Sequence, residues 1–322
     1  MQEIHKIAIF FDGTWNTIDY PEKFSNVKKM RDSVVERWSE GDISITTDSL
    51  YMEGPGTRPG TGIWGGALAA DLDKIITDAY IWLAQKYHEI ILKSHFPELY
   101  IFGFSRGSYL AHIFSWVIND IGLTSQFSLI PRLVNYYMRK NEGLNALLKE
   151  IPSSTKYTPT IRMLGLWDMV SAPLDIFSDY HDGERAPIVQ HIYHAMSLDE
   201  KRLFFPVLKY KEAQDCIRQC WFSGVHSDIG GGYEDTTLSN ISLEWMKDMA
   251  VEEDLIIKDV TASVESPNAV EDFLHMKIHD EAGKQNNPRK YEGEEIDESV
   301  YRRMAQDKSY SPFAVDFPTR MA

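Results

Sequence analysis

Residues 99–111 read Leu-Tyr-Ile-Phe-Gly-Phe-Ser-Arg-Gly-Ser-Tyr-Leu-Ala, and this stretch decides the fold class. An apolar, strand-forming run meets a Gly-x-Ser-x-Gly turn and then a segment of helical character, residues 109–118. A sharp strand-to-helix turn brings two backbones close together, which leaves no room for a Cβ atom at Gly103 or Gly107. The pattern predicts that Ser105 stands on the turn as a candidate nucleophile. The alternative is an ordinary βα turn in which the serine only caps the helix.

Other apolar runs predict a mostly parallel sheet with helices on both faces, an α/β fold. The predicted strands are residues 6–11, 49–52, 99–102, 160–167 and 217–221. The predicted helical segments are residues 26–38, 67–93, 109–118, 128–149 and 238–249.

The domain organisation is predicted to be a single domain over residues 1–322. Residues 179–194 are polar and turn-rich, so we expect an insertion around residues 171–215 that leaves the sheet. A helical and loop-rich extension is predicted over residues 250–322. Within it, the acidic residues 281–298 are the best candidate for local disorder.

Composition limits the partners that the chain can take. A net charge of −15 and a pI near 5.1 argue against nucleic acid, whose binding depends on clustered Lys and Arg. No apolar run approaches the roughly 20 residues of a membrane-spanning helix, and the first residues lack the pattern of a signal peptide. We therefore expect no integral membrane segment and a cytoplasmic location where the protein is made. Cys216 and Cys220 suit a reduced pair as well as a disulfide, and no metal or cofactor is expected.

Two further residues at predicted strand ends complete a candidate catalytic set. Asp168 ends the strand of residues 160–167, and His226 lies on a glycine-rich loop after the strand of residues 217–221. The chain order Ser, Asp, His is that of α/β-hydrolases. Asp228 is the other candidate acid, although it is only two positions from His226 and would have to fold back sharply. His275 and His279 lack the Glu of a His-Glu-x-x-His motif, and we interpret them as surface residues.

The loop after the first strand is also expected to contribute to the site. Asp12 and Asn16 are candidates for binding substrate or orienting this loop, because loops at the carboxyl ends of parallel strands carry the sites of open α/β sheets. Aspartate-nucleophile phosphatases of the haloacid dehalogenase type share part of this pattern, but Phe10 stands where their nucleophile would be. The glycine-rich residues 54–62 are expected to form a mobile loop near the site.

Four motifs in this order resemble the α/β-hydrolase domain of the type VI secretion phospholipase effectors. They are Phe-Asp-Gly-Thr-Trp-Asn at residues 11–16, Gly-Phe-Ser-Arg-Gly at 103–107, Leu-Trp-Asp-Met-Val at 166–170 and Gly-Val-His-Ser-Asp-Ile-Gly-Gly-Gly-Tyr at 224–233. The resemblance covers roughly residues 6–250. It implies an α/β-hydrolase fold and a serine esterase acting on phospholipid acyl esters, with Ser105, Asp168 and His226 as triad.

Such an esterase would need two hydrogen-bond donors for the oxyanion that forms on the ester. The backbone N–H of Arg106 is one expected oxyanion donor, and the N–H groups of Gly13 and Thr14 are expected to supply the second. The Arg106 guanidinium is a candidate for binding a substrate phosphate, and Asp228 for orienting its loop. A non-catalytic binding protein and an Asp12-based phosphatase stay open as alternatives. An effector would also have a secretion or immunity partner and be exported without a signal peptide.

Overall fold

The computed structural model describes residues 2–14, 23–56, 65–170, 181–211, 215–258, 273 and 275–318, and of residues 65–70 only the backbone. Asn16, residues 57–62 of the glycine-rich loop and residues 171–180 of the expected insertion lie outside the described residues. Within the described residues, every helix is too short or too polar to cross a bilayer.

The described residues form ten strands and eight α-helices. The strands are β1 (Gln2–Phe11), β2 (Arg37–Glu40), β3 (Ile43–Met52), β4 (Glu98–Phe104), β5 (Leu123–Thr124), β6 (Lys156–Tyr157), β7 (Ile161–Trp167), β8 (Val189–Ser197), β9 (Ile217–Phe222) and β10 (Glu295–Ile296). The helices are α1 (Asn26–Ser33), α2 (Gly65–Ile91), α3 (Arg106–Ile121), α4 (Ile130–Met138), α5 (Leu144–Glu150), α6 (His226–Gly230), α7 (Thr237–Glu252) and α8 (Glu298–Gln306).

Eight of these strands form the central sheet, in the order β10-β9-β8-β7-β4-β1-β3-β2. Neighbouring strands run parallel except β2, which is antiparallel to β3. The carboxyl ends of β1, β4 and β7 therefore lie side by side at one edge. This is where open parallel sheets place their functional residues.

Alternation along the strands divides the core into two layers, as strand geometry requires. In β1, Ile7, Ile9 and Phe11 pack in a cluster with residues of α2 to α5, whereas Ala8 and Phe10 face the other layer, with α1 and α7. Both faces of the sheet are thus covered by helices. This confirms the predicted α/β class with its mostly parallel sheet.

One predicted helix is too long, and one predicted strand is too short. The helix expected over residues 26–38 ends at Ser33, because Val34 is extended and Trp38 lies in β2, paired with Ile45. The strand expected at residues 49–52 is the end of a longer one, β3.

The expected excursion from the sheet at residues 179–194 is also wrong, because β8 lies between β7 and β9 in the sheet. The insertion expected around residues 171–215 is therefore interrupted by a central strand. The polar residues of β8 are accommodated inside: the fully buried His194 accepts a hydrogen bond at Nε2 from the Met169 N–H (3.0 Å).

Residues 281–298, the candidate for disorder, are instead part of the folded structure. They include β10, which pairs with β9, and Arg289, which is only 6% exposed. The following helix α8 contributes Val300 to an apolar cluster with Met196 and Trp221. The C-terminal extension therefore packs against the edge of the central sheet.

Candidate active site

The turn between β4 and α3 holds Ser105 in a rare backbone conformation, with φ 59° and ψ −125°. A Cβ at Gly103 would lie 2.5 Å from the Gly107 carbonyl oxygen, and one at Gly107 would lie 2.2 Å from the Phe11 carbonyl oxygen. The two glycines are therefore needed for the turn itself and for its contact with the end of β1. A positive φ at a residue other than glycine costs free energy and is concentrated at functional sites.

His226 lies within hydrogen-bond distance of both Ser105 and Asp168. Ser105 Oγ is 2.7 Å from His226 Nε2, and His226 Nδ1 is 2.5 Å from Asp168 Oδ2. Ser105 follows β4, Asp168 follows the neighbouring strand β7, and His226 begins α6 shortly after β9. The three side chains predicted from the sequence are thus brought together by the carboxyl ends of parallel strands.

The imidazole of His226 is held between two aromatic rings. The ring centroid of Phe104 lies 4.7 Å from that of His226. The ring centroid of Phe205 lies 5.0 Å from it, in an edge-to-face arrangement. His226 is 4% exposed and Ser105 is 5% exposed. Water therefore has little access to the hydrogen bond that joins them.

Asp168 is fully buried and its carboxylate accepts hydrogen bonds on both oxygens. Arg289 donates from Nη1 to Oδ1 (2.5 Å) and from Nη2 to Oδ2 (2.9 Å), and the Ser197 N–H donates to Oδ1 (2.9 Å). Burial alone would raise the pKa of Asp168, but the Arg289 charge and the hydrogen bond with His226 outweigh it and hold this pKa well below its usual range. Asp168 is therefore ionised at neutral pH.

Asp12 lies next to this set but is occupied by other donors. Its carboxylate accepts hydrogen bonds from the Ser25 hydroxyl (2.5 Å), the Tyr51 hydroxyl (2.6 Å) and the Gly13 N–H (2.6 Å), and it is 1% exposed. Burial and the neighbouring Asp12 carboxylate raise the pKa of Tyr51, so this tyrosine stays a donor. The arrangement suits a carboxylate that orients the loop after β1.

The predicted oxyanion donors are partly available. Arg106 is the first residue of α3, where a backbone N–H has no acceptor within the helix. The expected role of Gly13 is not supported, because its N–H already donates to Asp12. Thr14 offers a buried hydroxyl that has no hydrogen-bond partner among the residues the structure describes.

Asp228 lies close to His226 in sequence, but its carboxylate is directed elsewhere. It accepts hydrogen bonds from the Val225 N–H (3.0 Å) and the His279 N–H (3.2 Å). It also lies 2.6 Å from His279 Nδ1. His279 is consequently not a free surface residue, and residues 275–282 form no helix on which His275 and His279 could share a face. Asp228 joins the start of α6 to the C-terminal extension.

Candidate metal ligands lie near the amino ends of the parallel strands, opposite the carboxyl ends that carry the candidate site. In the described part of the chain, one such group brings together Glu3, His5 and His95, whose ligand atoms all lie within 4.8 Å of one another. Glu3 and His5 belong to the start of β1, whereas the candidate site follows its end. Cys216 and Cys220 are not joined in a disulfide.

Sequence reasoning missed Arg289 and Phe205, which complete the surroundings of Asp168 and His226. Arg289 comes from an acidic, hydrophilic segment, and it is 121 positions from the aspartate that it binds. A single cationic residue between Pro288 and Lys290 carries no local signal of burial.

Comparison with known proteins agrees with the resemblance carried by the four motifs. Residues 5–249 match the family described as "T6SS, Phospholipase effector Tle1-like, catalytic domain". Over 227 residues the chain is 31% identical to the uncharacterized protein YEL023C of Saccharomyces cerevisiae. This alignment covers 61% of this chain and 31% of that protein. The chain thus spans about a third of the length of this curated relative.

Two solved structures are similar at low identity. An uncharacterized protein from Pseudomonas aeruginosa aligns with a TM-score of 0.50 at 18% identity, over 83% of this chain and 48% of that chain. A Tle1 effector bound to the VgrG spike of the type 6 secretion system aligns with a TM-score of 0.41 at 18% identity, over 71% of this chain and 51% of that chain. The first likeness shows the fold alone. The match over residues 5–249 shows that the chain belongs to the family of Tle1-like type VI secretion phospholipase effectors, through their catalytic domain.

Proposed function

We propose that the chain is a serine esterase that hydrolyses the acyl ester bonds of phospholipids, with Ser105, His226 and Asp168 as its catalytic triad. The observation that carries the proposal is the pair of hydrogen bonds from Ser105 through His226 to Asp168, at 2.7 and 2.5 Å. Membership of a phospholipase family supports the substrate class.

Acylation follows from the position of the imidazole. His226 Nε2 takes the proton from Ser105 Oγ as that oxygen attacks the ester carbonyl carbon. The tetrahedral intermediate then collapses: the bond to the alcohol oxygen breaks, and His226 returns the proton to the leaving alcohol. In the second half, His226 deprotonates a water molecule that attacks the acyl carbon, and Ser105 regains its proton as the fatty acid leaves.

The oxyanion that forms in both halves needs two donors. We propose the Arg106 N–H as the first and Thr14 as the second, because the Gly13 N–H is engaged by Asp12. The loss of one such donor typically costs about 2.7–4 kcal/mol of transition-state stabilisation. Thr14→Val removes the hydroxyl and keeps the backbone N–H, so a large fall in kcat assigns the hydroxyl, whereas unchanged kcat excludes it and leaves only the N–H of Thr14 as a candidate.

The Arg106 side chain suits the phosphate of such a substrate. Burial lowers the pKa of its guanidinium, and no described residue forms an ion pair with it. A cation that is partly buried without a counterion is stabilised by a bound anion. Arg106→Met keeps the backbone donor, so we expect a higher KM for phospholipid and an unchanged KM for an uncharged ester. Equal effects on both substrates contradict this role.

Two alternatives predict different results in one experiment. The purified protein, Ser105→Ala and His226→Ala are assayed on phospholipids, uncharged esters and phosphate monoesters, with folding checked by circular dichroism. The esterase proposal expects ester hydrolysis that both variants lose, because triad members act as a unit. A binding protein hydrolyses none of these substrates, and an Asp12 phosphatase cleaves phosphate monoesters with Ser105→Ala still active. The three hydrogen bonds that occupy Asp12 disfavour the phosphatase.

Membership of an effector family supports a macromolecular partner as well, either a component of the secretion machine or an immunity protein. We propose export through that machine without a signal peptide. Export that depends on an intact type VI machine supports this route, and export without it contradicts it.

A further inference from the structure

Arg289 lies in the C-terminal extension, beyond the residues 5–249 that the family shares, yet it reaches the fully buried Asp168. We propose that Arg289 is a positioning residue that fixes the charge and the orientation of the Asp168 carboxylate toward His226. This inference rests on the proposed serine esterase, since it assigns a role within that site.

The contact has the geometry of a paired fork. Nη1 and Nη2 donate to different oxygens of Asp168, at 2.5 and 2.9 Å, and two such parallel bonds restrict rotation of the carboxylate. Rotation would move Oδ2 away from His226 Nδ1, 2.5 Å distant. The fork therefore holds Oδ2 where the imidazole needs its acceptor.

Arg289 is itself held in place by the backbone. Nη1 donates to the Ser197 carbonyl oxygen at the end of β8, and Nη2 donates to the Phe205 carbonyl oxygen, both at 2.9 Å. The Ser197 N–H also donates to Asp168. The ring of Phe205 contacts His226, so the same short segment contacts both the arginine and the imidazole.

Among the described residues, Arg289 is the permanently charged cation that contacts Asp168. Burial lowers the pKa of His194 to about 4, so this imidazole is uncharged near neutral pH. The nearby Glu200 carboxylate accepts hydrogen bonds from the Arg202 side chain and from the His226 N–H. The Arg202 charge compensates the charge of this carboxylate. Without Arg289, the buried Asp168 would face a large desolvation cost with only neutral donors.

This arrangement predicts a defined effect on the pH profile. Uptake of a proton by the Asp168–His226 pair places a second positive charge beside Arg289, and like charges repel. Loss of the Arg289 charge removes this repulsion and favours proton uptake in the variant. When Arg289 is replaced by a neutral residue, the acidic limb of the kcat/KM profile should move to higher pH.

Four variants test the inference. Arg289→Met should lower kcat roughly 10- to 100-fold, by analogy with residues that orient the ligands of a metal, and it should move the acidic limb to higher pH. Arg289→Lys keeps the charge but loses the fork, so it should restore the position of the limb and only part of kcat. Arg303→Met and Arg303→Lys are matched controls, because Arg303 is equally buried in the same extension and donates to the Met276 carbonyl oxygen.

A double variant covers the case in which Arg289→Met alone fails to fold. Asp168→Asn with Arg289→Met removes both buried charges, and it should turn over no more slowly than Asp168→Asn, since Arg289 acts through Asp168. An unmoved acidic limb in Arg289→Met, the same shift in Arg303→Met, or multiplying losses in the double variant each overturn the inference. Activity that survives Ser105→Ala would instead overturn the proposed function.

Discussion

Replacing Asp168 by Asn changes one carboxylate oxygen into an NH2 group. The hydrogen-bond donors around the carboxylate decide whether the NH2 group takes the position of Oδ1 or that of Oδ2. Oδ1 accepts from the Ser197 N–H and from Arg289, while Oδ2 accepts from Arg289 and lies beside His226 Nδ1. Two fixed donors thus require the amide oxygen at the Oδ1 position. The NH2 group then faces His226 and donates to Nδ1.

This orientation reverses the imidazole. With Nδ1 as an acceptor, the proton of neutral His226 sits on Nε2, which can no longer accept the proton of Ser105. The loss of the correct tautomer in a serine protease lowers kcat ~10⁴-fold, which corresponds to about 5.4 kcal/mol. We expect a loss of this order in Asp168→Asn. The variant also leaves Arg289 buried without its counterion, at a cost to stability of about 3–5 kcal/mol.

The assay compares kcat for ester hydrolysis in Asp168→Asn and Asp228→Asn, per molecule of folded protein as measured by circular dichroism. Asp228 bonds with Val225 and His279 and not with the imidazole of His226, so Asp228→Asn should lose stability and keep most of its turnover. A larger fall in kcat for Asp228→Asn than for Asp168→Asn would refute the reasoning.

Three further predictions concern metals, packing and pH. EDTA should leave ester hydrolysis unchanged because the proposed mechanism uses no metal; a loss that one added cation restores would contradict it. Gly107→Ala should reduce the free energy of unfolding in urea by about 1–3 kcal/mol, because the added Cβ would lie 2.2 Å from the Phe11 carbonyl oxygen. Gly143→Ala serves as the control, because its added Cβ would meet only side-chain atoms. Equal losses in the two variants would speak against this. Burial raises the pKa of Asp199 to about 6, so the folded state binds its proton more tightly and the contribution of Asp199 to stability should fall as pH rises from about 4 to 6. The difference in unfolding free energy between the wild type and Asp199→Asn should follow this fall; a difference that does not change with pH would count against it.

The strand-to-helix turn and the sheet could be predicted because their signals are local. The turn is encoded in the contiguous residues 99–111, and the near-continuous apolar run of residues 6–11 is typical of a strand with helices on both faces. Parallel strands end at one edge, so residues that follow different strands could be expected to meet there. The placement of Ser105, Asp168 and His226 follows from this rule.

The errors at residues 179–194 and 281–298 share a physical cause: polar residues can be buried when distant partners satisfy their hydrogen bonds or charge. His194 lies in a central strand because the Met169 N–H bonds with it, and Arg289 lies in the core because Asp168 compensates its charge. A sequence shows the polarity of such residues but not their partners. Polar segments therefore look like loops or disorder even where they pack.

The most direct test of the central claim is the site of covalent labelling by a fluorophosphonate, located by mass spectrometry. An activated serine should give one adduct per chain, on the tryptic peptide of residues 94–106, with the modification on Ser105 and not on Ser94. His226→Ala should abolish the reaction, because the imidazole generates the nucleophile. Labelling at another residue, or undiminished labelling of Ser105 in His226→Ala, would contradict the account.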